Sequence, residues 1–135
     1  MFKIAKAILL QRKRNLKRLQ SIIKPIRKVS FMKKCKITVM KMARYEDLIE
    51  KYENPIEHAC DMKVGQIFIA NGWQKPEGMC DSAWDSMSAF VMALSHNAEN
   101  FYDGWMKNKK SAMISCNDGF CPVSFLIEAL DEEAE

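Results

Sequence analysis

Apolar and polar residues alternate along the middle of the chain from Cys35 onward. Cys35, Ile37 and Val39 fall on one side of this segment, and Lys36 and Thr38 fall on the other. A period of two residues is typical of a β-strand with one buried face. Three more segments have the length and apolar content of a strand: residues 63–70, 111–115 and 122–130. The pattern therefore predicts four strands.

Two segments show the spacing of three and four residues that an amphipathic helix requires. The longer one starts at Ser82, which together with Asp85 resembles a capping box. Its apolar stripe consists of Ala83, Met87, Phe90, Val91 and Leu94. The shorter one, "RYEDLIEKYE" at 44–53, ends near Pro55. The order of these elements predicts a small α+β domain, a mostly antiparallel sheet with two helices packed on it.

A third helix is predicted at the start of the chain, over residues 1–24. Its apolar positions recur by threes and fours, with Arg12 filling the one gap, at Phe2, Ala5, Leu9, Leu16, Leu19 and Ile23. Lys and Arg dominate the opposite face, and Pro25 should end the helix. This segment is a basic amphipathic helix.

Charge separates this helix from the rest of the chain. Up to Lys34 there are twelve Lys and Arg residues and no acidic residue, whereas the remainder has nine basic and seventeen acidic residues, a net charge of −8. A chain of 135 residues has room for one domain. We therefore expect a basic helical extension at 1–33, a single α+β domain at 34–130 and a frayed acidic tail at 131–135.

The basic extension has four interpretations. It can lie on an anionic membrane surface, contact nucleic acid through phosphates, or act as a targeting sequence. In the fourth interpretation Met32 is the true start, and the extension is not part of the native protein. Lys6 interrupts the apolar run and no cleavage site follows, so we expect no secretory signal. We expect a cytoplasmic protein whose five cysteines are reduced thiols.

Two of these cysteines flank a turn in "SCNDGFCPV" at 115–123. Asp118 and Gly119 form a strong hairpin signal. Pro122 cannot donate a ladder hydrogen bond, which favours a loop over residues 117–120 with Cys116 opposite Cys121. Opposed residues in antiparallel strands come close enough for a disulfide. The alternative is that both thiols are small apolar groups at the end of the core.

Cys80 is the third candidate, because it lies just before the predicted N-cap. Backbone N–H groups and the helix dipole there can lower the pKa of a thiol, although the charges of Asp81 and Asp85 oppose this. Soft ligands for zinc or iron are also present, at weakly supportive spacing: His58, Cys60, Cys80, Cys116 and Cys121. No glycine-rich phosphate loop or nucleophile elbow occurs, so nothing indicates a nucleotide cofactor.

Four motifs in order resemble a family of small, uncharacterised cysteine-containing proteins found mostly in anaerobic bacteria and archaea. They are "MKKCKITVMK" at 32–41, "VGQIF" at 64–68, "PEGMCDSAWDSM" at 76–87 and "CNDGFCPVSF" at 116–125. The resemblance covers nearly everything from residue 32 onward, and family members typically begin about where Met32 stands.

The resemblance implies which residues matter, position by position. Cys80 and Trp84 match the motif after the Pro-Glu-Gly turn. The hairpin motif is matched by Cys116, Asp118, Gly119, Pro122 and Val123. The sequence departs from the family at Asn117, where proline is frequent, and at Cys121, where a basic residue is common. This departure weakens Cys121 as a partner of Cys116.

The leading hypothesis is that Cys80 and Cys116 come together as catalytic thiols or as soft metal ligands. The alternative is a non-enzymatic binding or interaction module in which the cysteines only pack. The resemblance brings no assigned activity, so the sequence leaves open whether the protein is an enzyme.

Overall fold

The structure, a computed structural model, describes residues 2–22, 32–57 and 60–135. Its elements in chain order are α1 (Phe2–Ile22), β1 (Lys33–Met42), α2 (Glu46–Tyr52), β2 (Ile67–Asn71), α3 (Asp81–Ser95), β3 (Ser111–Ser115) and β4 (Val123–Glu133). The four strands form one sheet in the order β2-β1-β4-β3, and all three pairings are antiparallel. The predicted strands, and the α+β class with its N-terminal helix, are confirmed.

The core lies between one face of this sheet and α3. Cys35, Ile37 and Val39 of β1 are fully buried, as their alternation predicted, and β4 adds Phe125 and Ile127. From the helix come Ala83, Met87, Val91 and Leu94. Burial of each large apolar side chain contributes about 1.5–3 kcal/mol. The sheet and α3 therefore form the rigid frame on which the loops are placed.

α3 begins two residues earlier than the capping-box pattern predicted, because its N-cap is not Ser82. The N-cap is Cys80, and Ser82 lies inside the first turn. The predicted capping box at Ser82 is therefore wrong. This places a thiol at the position where a side-chain oxygen usually faces the free N–H groups of a helix.

The shorter helix, α2, has a different role in the fold. It contains no buried residue, so α3 supplies the helical side of the core. The N–H of Ala43 donates to the carbonyl of Pro122, at 2.9 Å, and the N–H of Tyr45 donates to that of Phe120, at 2.9 Å. The segment between β1 and α2 therefore continues the pairing of β1 with the chain that leads into β4.

That pairing changes the hairpin register from the predicted one. The N–H of Cys116 donates to the carbonyl of Val123 at 3.0 Å, so Val123 and not Cys121 lies opposite Cys116. A register shift in β1 between Val39 and Lys41 aligns the end of β1 with residues 120–122. The predicted loop is therefore too short. The faces were predicted correctly, because a shift of two residues leaves every side chain on the same side.

The acidic tail is part of the sheet and not frayed. β4 continues to Glu133, which pairs with Lys33 in β1, and the N–H of Ala134 donates to the carbonyl of Met32 at 3.0 Å. The N–H of Glu135 donates to Oδ1 of Asn71 at 2.8 Å. Basic residues of β1 face the acidic end of β4 in ion pairs, which explains why so charged a segment adopts a regular strand.

Candidate thiol site

Four of the five cysteines line a single small cavity at one end of the core. Cys60 comes from the segment before β2, Cys80 from the N-cap of α3, and Cys116 and Cys121 from the connection between β3 and β4. The cavity has a volume of about 40 Å³. One water molecule occupies about 30 Å³ of liquid, so the enclosed space of the cavity is about that of one water molecule or one ion.

Cys80 is the exposed member of this group, and its surroundings change the pKa of its thiol. Its Sγ lies 3.4 Å from Oγ of Ser82. This hydrogen bond, and then the N–H groups of Ala83 and Ser82, lower the pKa of Cys80 by stabilising the thiolate, whereas partial burial and the charge of Asp81 raise it. The net effect is a lowered pKa. A larger fraction of Cys80 is therefore thiolate at neutral pH than of an ordinary surface thiol.

The carboxylate of Asp81 opposes this effect only weakly, because it has its own cationic partner. Nζ of Lys75 forms an ion pair and hydrogen bond with Oδ1 of Asp81. Lys75 also lowers the pKa of Asp81. The sequence predicts that the charges of Asp81 and Asp85 raise the pKa of Cys80. Lys75, six residues before Asp81, offsets the nearer of the two charges.

Two further sulfur atoms of the site accept backbone hydrogen bonds. The N–H of Val123 donates to Sγ of Cys116 at 3.3 Å, and the N–H of Met62 donates to Sγ of Cys60 at 3.4 Å. Both side chains are partly buried against the core, so these contacts hold the two sulfurs in place beside Cys80.

Asp118 organises the loop that carries Cys116 and Cys121. Its Oδ1 accepts the N–H groups of Phe120 at 2.9 Å and of Cys121 at 3.3 Å. Cys121 also lines a second cavity, of about 360 Å³, which Arg44 and α2 line as well. Cys121 therefore lies at the boundary between a cavity the size of an ion and one the size of a small ligand.

Cys35 is separate from the site. It is fully buried under α3, where its Sγ lies 3.8 Å from the carbonyl oxygen of Val91. Burial raises the pKa of Cys35 to about 11. This thiol is a packing group with no thiolate at neutral pH.

The structure thus brings together four of the five residues predicted as metal ligands. The fifth, His58, lies outside the described residues. Within residues 2–22, 32–57 and 60–135, no group of three or more His, Cys, Asp or Glu side chains is arranged to hold a metal ion. The ligand set His58, Cys60, Cys80, Cys116 and Cys121, with zinc or iron as its metal, remains a prediction.

Sequence analysis assigned the hydroxyl of Ser82 to a helix cap. In the structure this hydroxyl lies beside Sγ of Cys80 and stabilises its thiolate. A signal was present, because a hydroxyl two residues after a cysteine at an N-cap lies near that thiol. Comparison of the chain with protein-family models, with curated proteins and with solved structures found no match in any of the three. The case for a function therefore depends on the geometry of this site.

Proposed function

We propose that this protein carries a thiol centre in which Cys80 is the reactive thiolate and Cys116 is its partner. The observation that carries the proposal is the position of Cys80, an exposed thiol with a lowered pKa on a cavity that Cys116 also lines. Buried structural cysteines are inert, whereas a reactive cysteine is usually an accessible thiolate that its surroundings stabilise. The chemistry is thiol–disulfide exchange.

The exchange proceeds in two steps that balance in atoms and electrons. The thiolate of Cys80 attacks one sulfur of a substrate disulfide, forms a mixed disulfide and releases the other half as a thiolate. The thiol of Cys116 loses its proton to solvent and attacks the sulfur of Cys80, which releases the second half. The substrate gains two electrons, and the protein is left with a Cys80–Cys116 disulfide.

Trapping the intermediate tests this assignment. The reduced full chain is mixed with oxidised glutathione, and its adducts are mapped by mass spectrometry. We expect the wild type to end with an internal disulfide between Cys80 and Cys116, and the Cys116→Ser variant to accumulate glutathione on Cys80. Cys121→Ser is the matched control, and it should behave as the wild type does. If Cys121→Ser traps the adduct and Cys116→Ser does not, the partner is Cys121 and the assignment is wrong.

Two serine variants one turn apart on α3 test which hydroxyl lowers the pKa of Cys80. Ser82→Ala removes the hydroxyl beside Cys80, whereas Ser86→Ala removes one that donates to the Ser82 carbonyl, at 3.2 Å. We expect Ser82→Ala to shift the pH profile of Cys80 alkylation to higher pH, because the thiolate loses its main support. Ser86→Ala should leave the profile in place. Equal profiles for both variants would remove the electrostatic basis of the proposal.

A soft metal ion is the second candidate, favoured by the four cysteines around a cavity of about 40 Å³. Zinc or iron would be held by Cys60, Cys80 and Cys116 after their sulfurs close on the ion, since thiolates are the preferred soft ligands. Elemental analysis of the full chain purified without oxygen tests this candidate. Stoichiometric metal that Cys60→Ser abolishes would favour a metal centre, and thiols that neither bind metal nor react would favour the non-enzymatic packing alternative.

A further inference from the structure

Within the part of the chain that the structure describes, no residue covers the apolar side of the basic helix α1. All of its residues from Phe2 to Ile22 are exposed, and none is buried. Its apolar side chains are among the most exposed in the molecule, with 94% of Phe2 and 68% of Ile4 open to solvent. No helix in the described part of the chain is long and apolar enough to cross a membrane. α1 therefore presents a large apolar surface that the α+β domain does not cover.

The side chains of α1 divide into two well-separated faces. At the 100° per residue of an α-helix, its larger apolar residues fall in one arc: Phe2, Ile4, Ile8, Leu9, Leu16, Leu19 and Ile22. Six of its seven cations fall in the other arc: Lys3, Lys6, Lys13, Arg14, Lys17 and Arg18. Each arc has one exception, since Arg12 lies among the apolar residues and Leu10 among the cations. The helix contains no acidic residue.

We propose that α1 binds the surface of an anionic lipid bilayer, lying in the plane of the interface with its apolar face in the acyl boundary. Such a surface complements both faces at once, because it offers hydrocarbon to the leucines and phosphate groups to the cations. Nucleic acid offers phosphates but leaves the apolar face in water. From Cys35 onward the chain has a net charge of −8, so an anionic surface repels that part of the chain, and the attraction comes from α1 and from the five further cations between α1 and Cys35.

This inference does not rest on the thiol chemistry, and lipid vesicles test it directly. The full chain is mixed with vesicles of phosphatidylcholine alone or of equimolar phosphatidylcholine and phosphatidylglycerol, and binding is measured by co-sedimentation. We expect binding only to the anionic vesicles, and its loss when NaCl rises from about 0.1 M to about 0.5 M, since salt screens the attraction. Equal binding to both vesicles, or none to either, would overturn the proposal.

Neighbouring leucines on opposite faces provide matched variants with unchanged charge. Leu9 lies in the apolar arc and Leu10 in the cationic arc, and both are at least half exposed. We expect Leu9→Gln to weaken binding to anionic vesicles about tenfold, because its side chain enters the acyl boundary, and Leu10→Gln to change it less than about twofold. Circular dichroism confirms that both variants remain folded. Equal effects of the two variants would show that the apolar face is not inserted.

Two other partners would each contradict the proposal. Binding to a short DNA duplex that is tighter than vesicle binding, and equal in Leu9→Gln and wild type, would identify α1 as a phosphate-binding arm. Sedimentation of the vesicle-free chain as a dimer that Leu9→Gln dissociates would identify the apolar face as a contact between two copies. A monomer that binds only anionic vesicles supports the lipid surface.

Discussion

The loop between β3 and β4 depends on a single carboxylate, and its removal gives the sharpest test of how the thiol site is held. In Asp118→Ala the N–H groups of Phe120 and Cys121 lose their common acceptor. A hydrogen bond to a buried charge contributes about 1.5–3 kcal/mol and a neutral one about 1 kcal/mol. Asp118 is only half-buried, and one of its bonds is long at 3.3 Å. We therefore expect a loss of about 1.5 kcal/mol in the free energy of unfolding.

Urea unfolding followed by tryptophan fluorescence measures this loss. Asn117→Ala, at the exposed neighbouring position, is the matched control and should change stability by less than about 0.5 kcal/mol. Asp118→Asn keeps an oxygen acceptor and should fall between the two. Alkylation gives an independent readout, because a loosened loop exposes Cys116 and Cys121 and both should react faster in Asp118→Ala. If Asp118→Ala and Asn117→Ala have the same stability and the same alkylation rates, Asp118 does not organise the loop.

Two further predictions concern the core. Met87→Ala should lower the free energy of unfolding by about 3 kcal/mol, because Met87 is fully buried. Met92 is half exposed on the same helix, so Met92→Ala should lower it by less than about 1 kcal/mol. Similar losses for the two variants in urea unfolding would contradict the packing of α3. Since burial raises the pKa of Cys35 to about 11 from about 9, the unfolded chain loses this proton first. Below pH 9 this group should leave the free energy of unfolding unchanged, and between pH 9 and pH 11 it should lower that free energy by up to about 3 kcal/mol. Urea unfolding across this pH range should show that Cys35→Ala lacks this decrease.

The spacing of apolar residues was sufficient to predict the strands and helices and which face of each is buried. The alternation at Cys35, Ile37 and Val39 identified three residues that are fully buried, and the stripe of α3 identified its contacts with the sheet. Both predictions succeeded because the side-chain direction of a strand or helix follows from its period alone.

Local pattern failed where a distant segment competes for the same hydrogen bonds. The hairpin rule placed Cys121 opposite Cys116 because it considered only β3 and β4. The chain after β1 bonds to Phe120 and Pro122 instead, so Val123 lies opposite Cys116. The tail was predicted as frayed from its charge, yet Lys33 and Lys34 of β1, almost a hundred positions earlier, form ion pairs with three of its four side-chain carboxylates.

Neighbouring residues are enough to predict the strands, the helices, their apolar faces and the two faces of α1, since each of these features is local. Which thiols share a cavity follows only from the packing of distant segments. Cys60, Cys80 and Cys116 lie on segments that are far apart in the chain, and no local period relates them. Strand order, register and the start of α3 bring their side chains to one cavity, and those features depend on contacts between distant parts of the chain.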